Sequence, residues 1–390
     1  MKIAKVKSFL FYPGVQKNLL LCRIETTDGV YGWGEGYVVR GKEKVTKELL
    51  DAVAPALIGR SVFDIRHMRS VLFTEFTIKR SSVDFFSMIS AIEIAMWDIV
   101  GKYCGQPVYN LLGGRHRERI RVYANGWWKG ATSIEETVRR AAKLQEEGFN
   151  AVKWDPFNSP WREQITREQE DYAVRNVATM RKTLGDKMDL LVECHRRLSP
   201  YHAIHFAKRI EEYDPFLLEE PCCSDNIDLV AEVKRNVPMR VMSGETCYTL
   251  EEFKTMLNAG AVDVINPDTC CCSGISGMLE IAHMAQPYSV MLSPHNYNSS
   301  VIGLAATVHL SVATPNFTIA ELFVNIKPGC DSIAVEPMTV DKGFVELPTK
   351  PGLGVDIDMK KLAKQPYEKI VVSQLSQYFI EYPRKEDFAV

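Results

Sequence analysis

Three glutamates that each close a short apolar run stand at equal intervals in the chain. They are Glu193 in LLVE, Glu219 in FLLE and Glu245 in MRVMSGE, and both intervals are 26 residues. A strand, a turn, a helix and a return loop occupy about that many residues, so the spacing predicts successive βα units of a parallel barrel. Because functional groups of such a barrel project from the carboxyl ends of its strands, we expect the three side chains to lie side by side.

Three carboxylates at neighbouring strand ends would repel one another strongly unless a cation neutralised them. Oxygen ligands without histidine or cysteine favour Mg²⁺ over zinc or copper. The sequence therefore predicts one Mg²⁺ ion on Glu193, Glu219 and Glu245. The alternative is three unrelated surface glutamates, because glutamate is common and strands often end in polar residues.

The rest of the chain has room for a barrel and a second unit. Its 390 residues exceed the roughly 250 of a barrel alone. The N-terminal part combines alternating strands with helical spacing, at 2–12 and 18–27 for the strands, Asp28-Gly29 for a turn, and 42–59, 61–78 and 87–103 for the helices. Strands and amphipathic helices then alternate, with strands predicted near 120–125, 150–155, 189–194, 215–219, 240–244, 262–266, 289–293 and 317–321.

We therefore predict an α/β fold in which a (β/α) barrel carries an N-terminal α+β capping domain completed by the C-terminal tail. The predicted divisions are the N-terminal part of the capping domain over residues 1–118 and a catalytic barrel over 119–321. A C-terminal segment over 322–390 then returns to the capping domain.

Charge and hydropathy argue against several classes of protein. The formal net charge is −2 and no long Lys/Arg cluster is present, so the chain has no electrostatic footprint for nucleic acid. No apolar run reaches the roughly 18 residues of a membrane span, and the N-terminus lacks the apolar core and cleavage site of a signal peptide. We expect a cytoplasmic homo-oligomer that acts on a small molecule, with neither nucleic acid nor membrane as a partner.

A set of short motifs in a fixed order carries a family resemblance. GWGE stands near the start, E-x-H, EEP, GE, NPD and PHN follow at successive predicted strand ends, and PGLG lies in the tail. Over nearly its whole length the chain resembles the enolase superfamily, specifically its mandelate racemase subgroup. The resemblance implies a divalent metal, usually Mg²⁺, which stabilises the enediolate formed when a base removes the proton α to a carboxylate.

The family's metal ligands fall on Glu193, Glu219 and Glu245, the same three residues that the spacing singles out. Many members carry aspartate at the first of these positions, where this chain has Glu193. Glu220, the next residue of LEEP, should face away from the metal if the strand continues.

A histidine and an aspartate are candidates for the general base. Asp268 in INPD and His295 in MLSPHN are 27 residues apart, about one βα unit, and match the family's dyad. A carboxylate on the far ring nitrogen fixes the tautomer and makes the imidazole more basic. Glu321 in NFTIAEL matches the position that hydrogen-bonds the substrate carboxylate, and we expect its acidic neighbours to raise its pKa. The alternatives are a packed histidine and a simple strand-end cap.

The second predicted strand departs from the family pattern. Many relatives have a K-x-K pair there, whereas this chain has Lys153 and then Asp155. Asp155 becomes a candidate to bind a substrate hydroxyl, and Lys153 is either catalytic or a structural ion-pair partner of Glu193. His195 should face the same way as Glu193 if its strand continues, where it would protonate a leaving hydroxyl. This E-x-H arrangement is similar to sugar-acid dehydratases of the galactonate dehydratase type.

The predicted function is Mg²⁺-dependent dehydration of a sugar acid, an aldonate or aldarate. The enzyme would pass through an enediolate and eliminate the β-hydroxyl to give a 2-keto-3-deoxy acid. Further candidates for substrate binding are Arg196, Trp127 and Arg40, and the candidate pocket walls are Trp127-Trp128 and the segment from Tyr37 to Arg40. A racemase, epimerase or cycloisomerase with the same enediolate chemistry is the first alternative, and a catalytically idle metal-binding barrel is the second.

Overall fold

A computed structural model describes residues 1–157 and 163–371. The N-terminal part begins with an antiparallel sheet of three strands, β1 (Ile3–Phe11), β2 (Leu19–Thr26) and β3 (Tyr31–Gly36). Gly29, at φ +82°, permits the tight turn between β2 and β3. Three helices follow, α1 (Glu43–Leu57), α2 (Ile65–Val71) and α3 (Val83–Cys104).

Helix α3 is the long central element of this N-terminal part. The Ser82 side chain accepts a hydrogen bond from the Phe85 amide at its start, and Gly105 in the left-handed conformation ends it. Strand β3 lies so close to the helix that a Cβ on Gly34 would overlap the carbonyl oxygen of Ala91. The glycines of GWGE therefore allow the sheet to pack directly on the helix backbone.

Eight parallel strands follow, each overlapping a predicted one. They are β4 (Arg119–Asn125), β5 (Ala151–Trp154), β6 (Asp189–Glu193), β7 (Leu217–Glu219), β8 (Arg240–Ser243), β9 (Val264–Ile265), β10 (Met291–Leu292) and β11 (Ala320–Phe323). Strands β4 to β10 pair in sequence order, and β11 pairs with β4. An isolated parallel bridge from Leu292 to Phe317 joins β10 to the segment before β11.

Helices alternate with these strands and cover their outer faces. They are α4 (Val108–Leu111), which precedes β4, and then α5 (Ile134–Glu146), α6 (Arg167–Leu184), α7 (Pro200–Ile210), α8 (Ile227–Asn236), α9 (Leu250–Asn258), α10 (Gly274–Ala285) and α11 (Val301–Ala313). The largest core lies between helices and strands. A smaller core fills the interior with one residue from or beside each of seven strands, namely Tyr123, Ala151, Leu191, Leu217, Met242, Val264 and Ile319.

The segment after β11 contacts both parts of the chain. It contains α12 (Lys327–Asp331), β12 (Val340–Asp341), β13 (Phe344–Glu346) and α13 (Met359–Leu362). Strand β13 pairs antiparallel with β4, and Asp356 accepts hydrogen bonds from the Tyr31 hydroxyl and the Trp33 indole. The predicted division of the chain at 118/119 and 321/322 stays a prediction, and residues 372–390 of the predicted C-terminal segment lie outside the described residues.

Two buried carboxylates of the N-terminal part cap helices of the barrel. Glu35, at the end of GWGE, accepts hydrogen bonds from the Ser300 and Gly303 amides at the start of α11. Glu93 of α3 accepts the Ile275 and Ser276 amides at the start of α10, at 2.8 and 2.9 Å. Carboxylates at helix N-termini satisfy free amides and interact favourably with the helix dipole. The cap is thus fixed to the two helices that follow β9 and β10.

The sequence placed the N-terminal helices less accurately than the barrel strands. The predicted span 61–78 divides into α2 and a π-helical turn at Leu72–Phe76. Helix α3 begins at Val83 rather than at residue 87, because Ser82 supplies its N-terminal cap. Among the described residues, no helix is long and apolar enough to cross a membrane.

Candidate active site

Charged side chains form a layer directly above the interior core of the barrel. Residues two apart on a strand share a face, so each inward-facing core residue is followed, two positions later, by a side chain at the carboxyl end of the same strand. The pairs are Ala151 with Lys153, Leu191 with Glu193, Leu217 with Glu219 and Ile319 with Glu321. The strand pleat therefore brings together four groups that lie far apart in sequence.

The three predicted metal ligands do converge. Glu193, Glu219 and Glu245 each offer a carboxylate oxygen, and these oxygens lie within 4.8 Å of one another. Glu219 Oε1 accepts from Lys153 Nζ at 2.6 Å and from Asn266 Nδ2 at 3.1 Å, but its buried Oε2 has no hydrogen-bond partner among the described residues. Such an oxygen is costly to bury unless a cation binds it. The donor set therefore fits a divalent cation that prefers oxygen ligands.

Lys153 lies at the centre of the buried carboxylates. Its side chain is 2% exposed, and its Nζ lies 2.6 Å from Glu219 Oε1, 2.8 Å from Glu321 Oε1 and 3.4 Å from Glu193 Oε2. The structure therefore contains the ion pair between Lys153 and Glu193 that was one of the two alternatives for this lysine. One ammonium thus partly neutralises three carboxylates that are at most 3% exposed.

Burial and neighbouring charges shift the pKa values of Glu219 and Glu321 in opposite directions. Burial, reinforced by the charge of Glu193, raises the pKa of Glu219 to about 8. Burial also acts to raise the pKa of Glu321, but the charges of Lys153 and His295 outweigh it and hold that pKa well below its ordinary value. In the chain without ligands, the pKa of Glu321 thus shifts in the direction opposite to the predicted increase, because Lys153 lies beside it.

The predicted dyad is present on the far side of the cluster. His295 Nδ1 lies 2.8 Å from Asp268 Oδ2, and both side chains are buried. Nε2 of the same ring lies 3.3 Å from Glu245 and 3.7 Å from Glu321. Burial acts to lower the pKa of His295, but the charges of Glu321 and Asp268 outweigh it and raise that pKa. Asp268 thus orients the imidazole ring, and the other ring nitrogen, Nε2, points towards the carboxylates of Glu245 and Glu321.

His195 reaches the site by a route that the sequence did not predict. Strand β6 ends at Glu193, and His195 and Arg196 have φ of +49° and +61°, so the strand does not continue through them. His195 Nδ1 lies 2.9 Å from Asp155 Oδ2, and Arg197 donates to the same oxygen. The condition for the predicted alternation of side chains, a strand that continues past Glu193, is therefore not met, although His195 still lines the site.

Two further side chains determine the position of Glu245. Arg196 donates to Glu245 Oε1, which places this candidate substrate ligand against a candidate metal ligand. Glu220 Oε1 accepts from the Gly244 and Glu245 amides at 2.8 and 3.1 Å. Strand β7 ends before Glu220, which has φ +44°. Glu220 therefore holds the loop that carries Glu245 and is not one of the three clustered carboxylates.

A cavity of about 670 Å³ opens over these groups and is lined by both parts of the chain. Arg40 and Asp155 line it, as predicted for substrate-binding residues. Trp127 is not among the described lining residues, because the chain turns at Gly126 (φ +77°) and the Trp127 indole donates to the Ala124 carbonyl within the outer core. Trp128, the other tryptophan expected in the pocket wall, lines the cavity.

Sequence reasoning missed several residues of the site. Asn125 donates to Glu321 at 2.7 Å, and Asn266 donates to Glu219. Both stand two positions after an inward-facing core residue, which is the pattern of the charged layer, but sequence alone did not identify which face points inward. The aromatic rings of Tyr37 and Tyr297 lie 6.4 and 6.0 Å from the His295 ring, measured between centroids. Tyr37 belongs to the segment expected to form a pocket wall, whereas no motif pointed to Tyr297.

Comparison with known proteins gives matches over most of the chain. Residues 136–361 match the family described as enolase C-terminal domain-like. Residues 13–113 match the N-terminal domain of mandelate racemase and muconate lactonizing enzyme. The two matches fall on successive parts of the chain, and they agree with the order of motifs in the sequence.

Individual relatives extend the comparison. The chain is 32% identical over 346 residues to the D-gluconate dehydratase of Thermoproteus tenax, covering 88% of this chain and 69% of the relative. It is 32% identical over 352 residues to the D-gluconate/D-galactonate dehydratase of Picrophilus torridus, covering 90% and 89%. The crystal structure of a proposed dehydratase from Mesorhizobium loti superposes with a TM-score of 0.88 at 29% identity, covering 94% of this chain and 99% of that one.

Proposed function

Because the chain belongs to the mandelate racemase subgroup of the enolase superfamily, we propose that it is a sugar-acid dehydratase that converts an aldonate or aldarate to a 2-keto-3-deoxy acid. The observation that carries the proposal is a pair of histidines in one cavity, each with its own carboxylate. His295 pairs with Asp268 and His195 with Asp155, at 2.8 and 2.9 Å. Dehydration needs a base for the α proton and an acid for the leaving hydroxyl, and two oriented imidazoles supply both.

His295 is the base in this proposal. With the ring proton on Nδ1 directed at Asp268, Nε2 carries the lone pair that takes the proton α to the substrate carboxylate. Glu321, which Lys153 and the Asn125 amide hold in place, would orient the substrate carboxylate. Removing the α proton then leaves an enediolate.

His195 is the acid. Asp155 accepts from its Nδ1, and Arg197 together with the Phe157 amide fixes the Asp155 carboxylate. Nε2 of His195 is then the nitrogen that donates a proton to the β-hydroxyl as its bond to carbon breaks. Asp155 in place of a second lysine favours this role over a lysine base on the opposite face of the substrate, which a two-base racemase would use.

The carboxylates of Glu193, Glu219 and Glu245 would hold a divalent cation, proposed as Mg²⁺. Bound there, it would stabilise the negative charge that develops on the substrate carboxylate. The buried and unpartnered Glu219 Oε2 supports this assignment. The cytoplasmic location and the homo-oligomeric state remain predictions from the sequence.

Substitution of each histidine tests the division of labour. In His295→Asn we expect neither dehydration nor exchange of the α proton with deuterated water, because no enediolate forms. In His195→Asn we expect dehydration to fall by about 10²- to 10⁴-fold, the usual worth of general acid assistance, while α-proton exchange persists. His67→Asn, an exposed histidine outside the cavity lining, is the matched control.

The measurements are product assay and NMR detection of deuterium at the α carbon, run on a panel of aldonic and aldaric acids with Mg²⁺. Exchange in His295→Asn but not in His195→Asn would reverse the two roles. Exchange or epimerisation by the wild-type protein without loss of water would replace the dehydratase with an epimerase. No proton exchange with any acid would favour a catalytically idle barrel.

A further inference from the structure

The basic side chains of the cavity divide into two groups. Five lysine and arginine residues of the described chain line it, and three of them have carboxylate partners. Lys153 is paired with Glu219 and Glu321, as described above. Arg196 donates to Glu245, and Arg197 to Asp155. These three cations are therefore already paired with carboxylates of the candidate active site.

The other two cations are Arg40 and Lys129, which come from different parts of the chain. Arg40 is exposed in the loop between β3 and α1, and Lys129 follows β4. Within the described ranges, neither makes an ion pair with a carboxylate. The Lys129 ammonium has Gln16 Oε1 at 3.3 Å as its hydrogen-bond acceptor and lies 5.3 Å from the centroid of the Tyr297 ring. Cap and barrel thus each direct one cation at the same cavity.

The two positive charges act on each other. The surrounding cavity wall lowers the pKa of Lys129 to about 8, the charge of Glu321 opposes that change, and the charges of Lys153 and then Arg40 add to it. Both side chains are exposed, and the repulsion between their like charges is unfavourable where no anion lies near them. An anion bound between them would remove this repulsion and would gain charge-assisted hydrogen bonds from both.

We propose that Arg40 and Lys129 bind a second carboxylate at the far end of the substrate, so that the enzyme prefers an aldarate to the corresponding aldonate. This inference rests on the proposed function, which places the reacting carboxylate at the metal cluster. The clustered carboxylates and the two cations contribute to the lining of one cavity of about 670 Å³, a volume typical of pockets for small molecules. The named relatives are gluconate and galactonate dehydratases, whose substrates carry a neutral hydroxyl at that end.

A terminal phosphate would offer the same negative charge, because arginine and lysine bind phosphate as well as carboxylate. The test therefore uses three acids of one configuration, which differ only at C6: the aldarate, the aldonate and the 6-phosphorylated aldonate. The Mg²⁺-loaded full chain is assayed with each acid to obtain kcat/KM. We expect the aldarate to give the highest value.

The variants are Arg40→Gln and Lys129→Gln, with Arg60→Gln as the matched control. Arg60 is exposed, and it does not line the cavity. Each of the first two changes should lower the ratio of kcat/KM for aldarate over aldonate by about 10- to 100-fold, the usual worth of a hydrogen bond to a charged group, chiefly through KM. The control should leave the ratio unchanged.

Preference of the wild-type protein for the aldonate or for the phosphorylated acid would overturn the inference. So would equal losses on aldarate and aldonate, which would mean that the two cations act on the structure of the site. If no acid is turned over, the proposed function fails, and calorimetric binding of aldarate and aldonate in Mg²⁺ decides the inference separately. Aldarate binding weakened selectively by Arg40→Gln would support the anion site, and equal binding of the two acids by both proteins would refute it.

Discussion

The buried ammonium of Lys153 gives a quantitative prediction for the metal-free protein. Lys153→Met keeps the length of the side chain but leaves Glu193, Glu219 and Glu321 without their shared cation. All three carboxylates are at most 3% exposed, so they are poorly hydrated once the ammonium is removed. Removing one partner of a buried ion pair typically costs about 3–5 kcal/mol. We expect a loss of that size in the free energy of unfolding without metal.

Magnesium should restore part of this loss. A cation on Glu193, Glu219 and Glu245 returns positive charge to the cluster, and without the competing ammonium it should bind more tightly than in the wild type. A ligand that binds only the folded state adds about 2.7 kcal/mol at 100 times its Kd. Because Mg²⁺ also stabilises the wild type, the difference between the two proteins should shrink by RT ln of the ratio of their Kd values, about 1.4 kcal/mol for tenfold tighter binding by Lys153→Met.

Urea denaturation followed by circular dichroism, with chelator and with Mg²⁺, measures both quantities. Lys187→Met, at an exposed position in the loop between α6 and β6, controls for the loss of a lysine. A loss below about 1 kcal/mol without metal would mean that the cluster tolerates its own charge. An equal loss with and without Mg²⁺ would mean that the ammonium and the cation do not compete for these carboxylates.

Two further predictions concern Glu219. Glu219→Gln should weaken Mg²⁺ binding in calorimetry and abolish turnover. Glu220→Gln should retain much more activity, because an amide can still accept from the Gly244 and Glu245 amides and donate to the Ser243 hydroxyl; equal effects would show that the ligand set is wrong. Because the Glu219 pKa is raised from 4.5 to about 8, the folded chain holds a proton that the unfolded chain releases between these values. The contribution of Glu219 to stability should therefore decline as pH rises from about 4.5 to about 8 in metal-free protein, and urea titrations should find this part of the pH dependence absent in Glu219→Gln.

The strand-borne half of the site was predictable because strands and barrels repeat regularly. One βα unit separates Glu193 from Glu219, and Asp268 from His295, so similar spacing in sequence became proximity at the strand ends. The two-residue spacing along the strands could also have identified Asn266, because it follows the core residue Val264 by two positions, as Glu219 follows Leu217.

The other half depends on chain reversals and on contacts between strands. His195 takes its place through left-handed backbone and a carboxylate from the neighbouring strand, and neither follows from the local pattern of residues. The effect of Lys153 on the pKa of Glu321 was equally hidden, because their contact joins residues 168 positions apart. Trp127 and Trp128 differ by one position, and only the turn at Gly126 decides which of them lines the cavity.

The carboxylates of Glu35 and Glu93 limit how such an enzyme can be re-engineered. A chimera that joined this barrel to the cap of a relative would leave the first amides of α10 and α11 open unless the new cap brought acids to the same two places. These helices follow the strands that lead to Asp268 and His295, so a poorly matched cap would disturb the base as well as the substrate pocket. Grafting single loops, such as the one that carries Arg40, keeps both attachments. Substrate range should therefore change more readily by loop exchange than by exchange of whole caps.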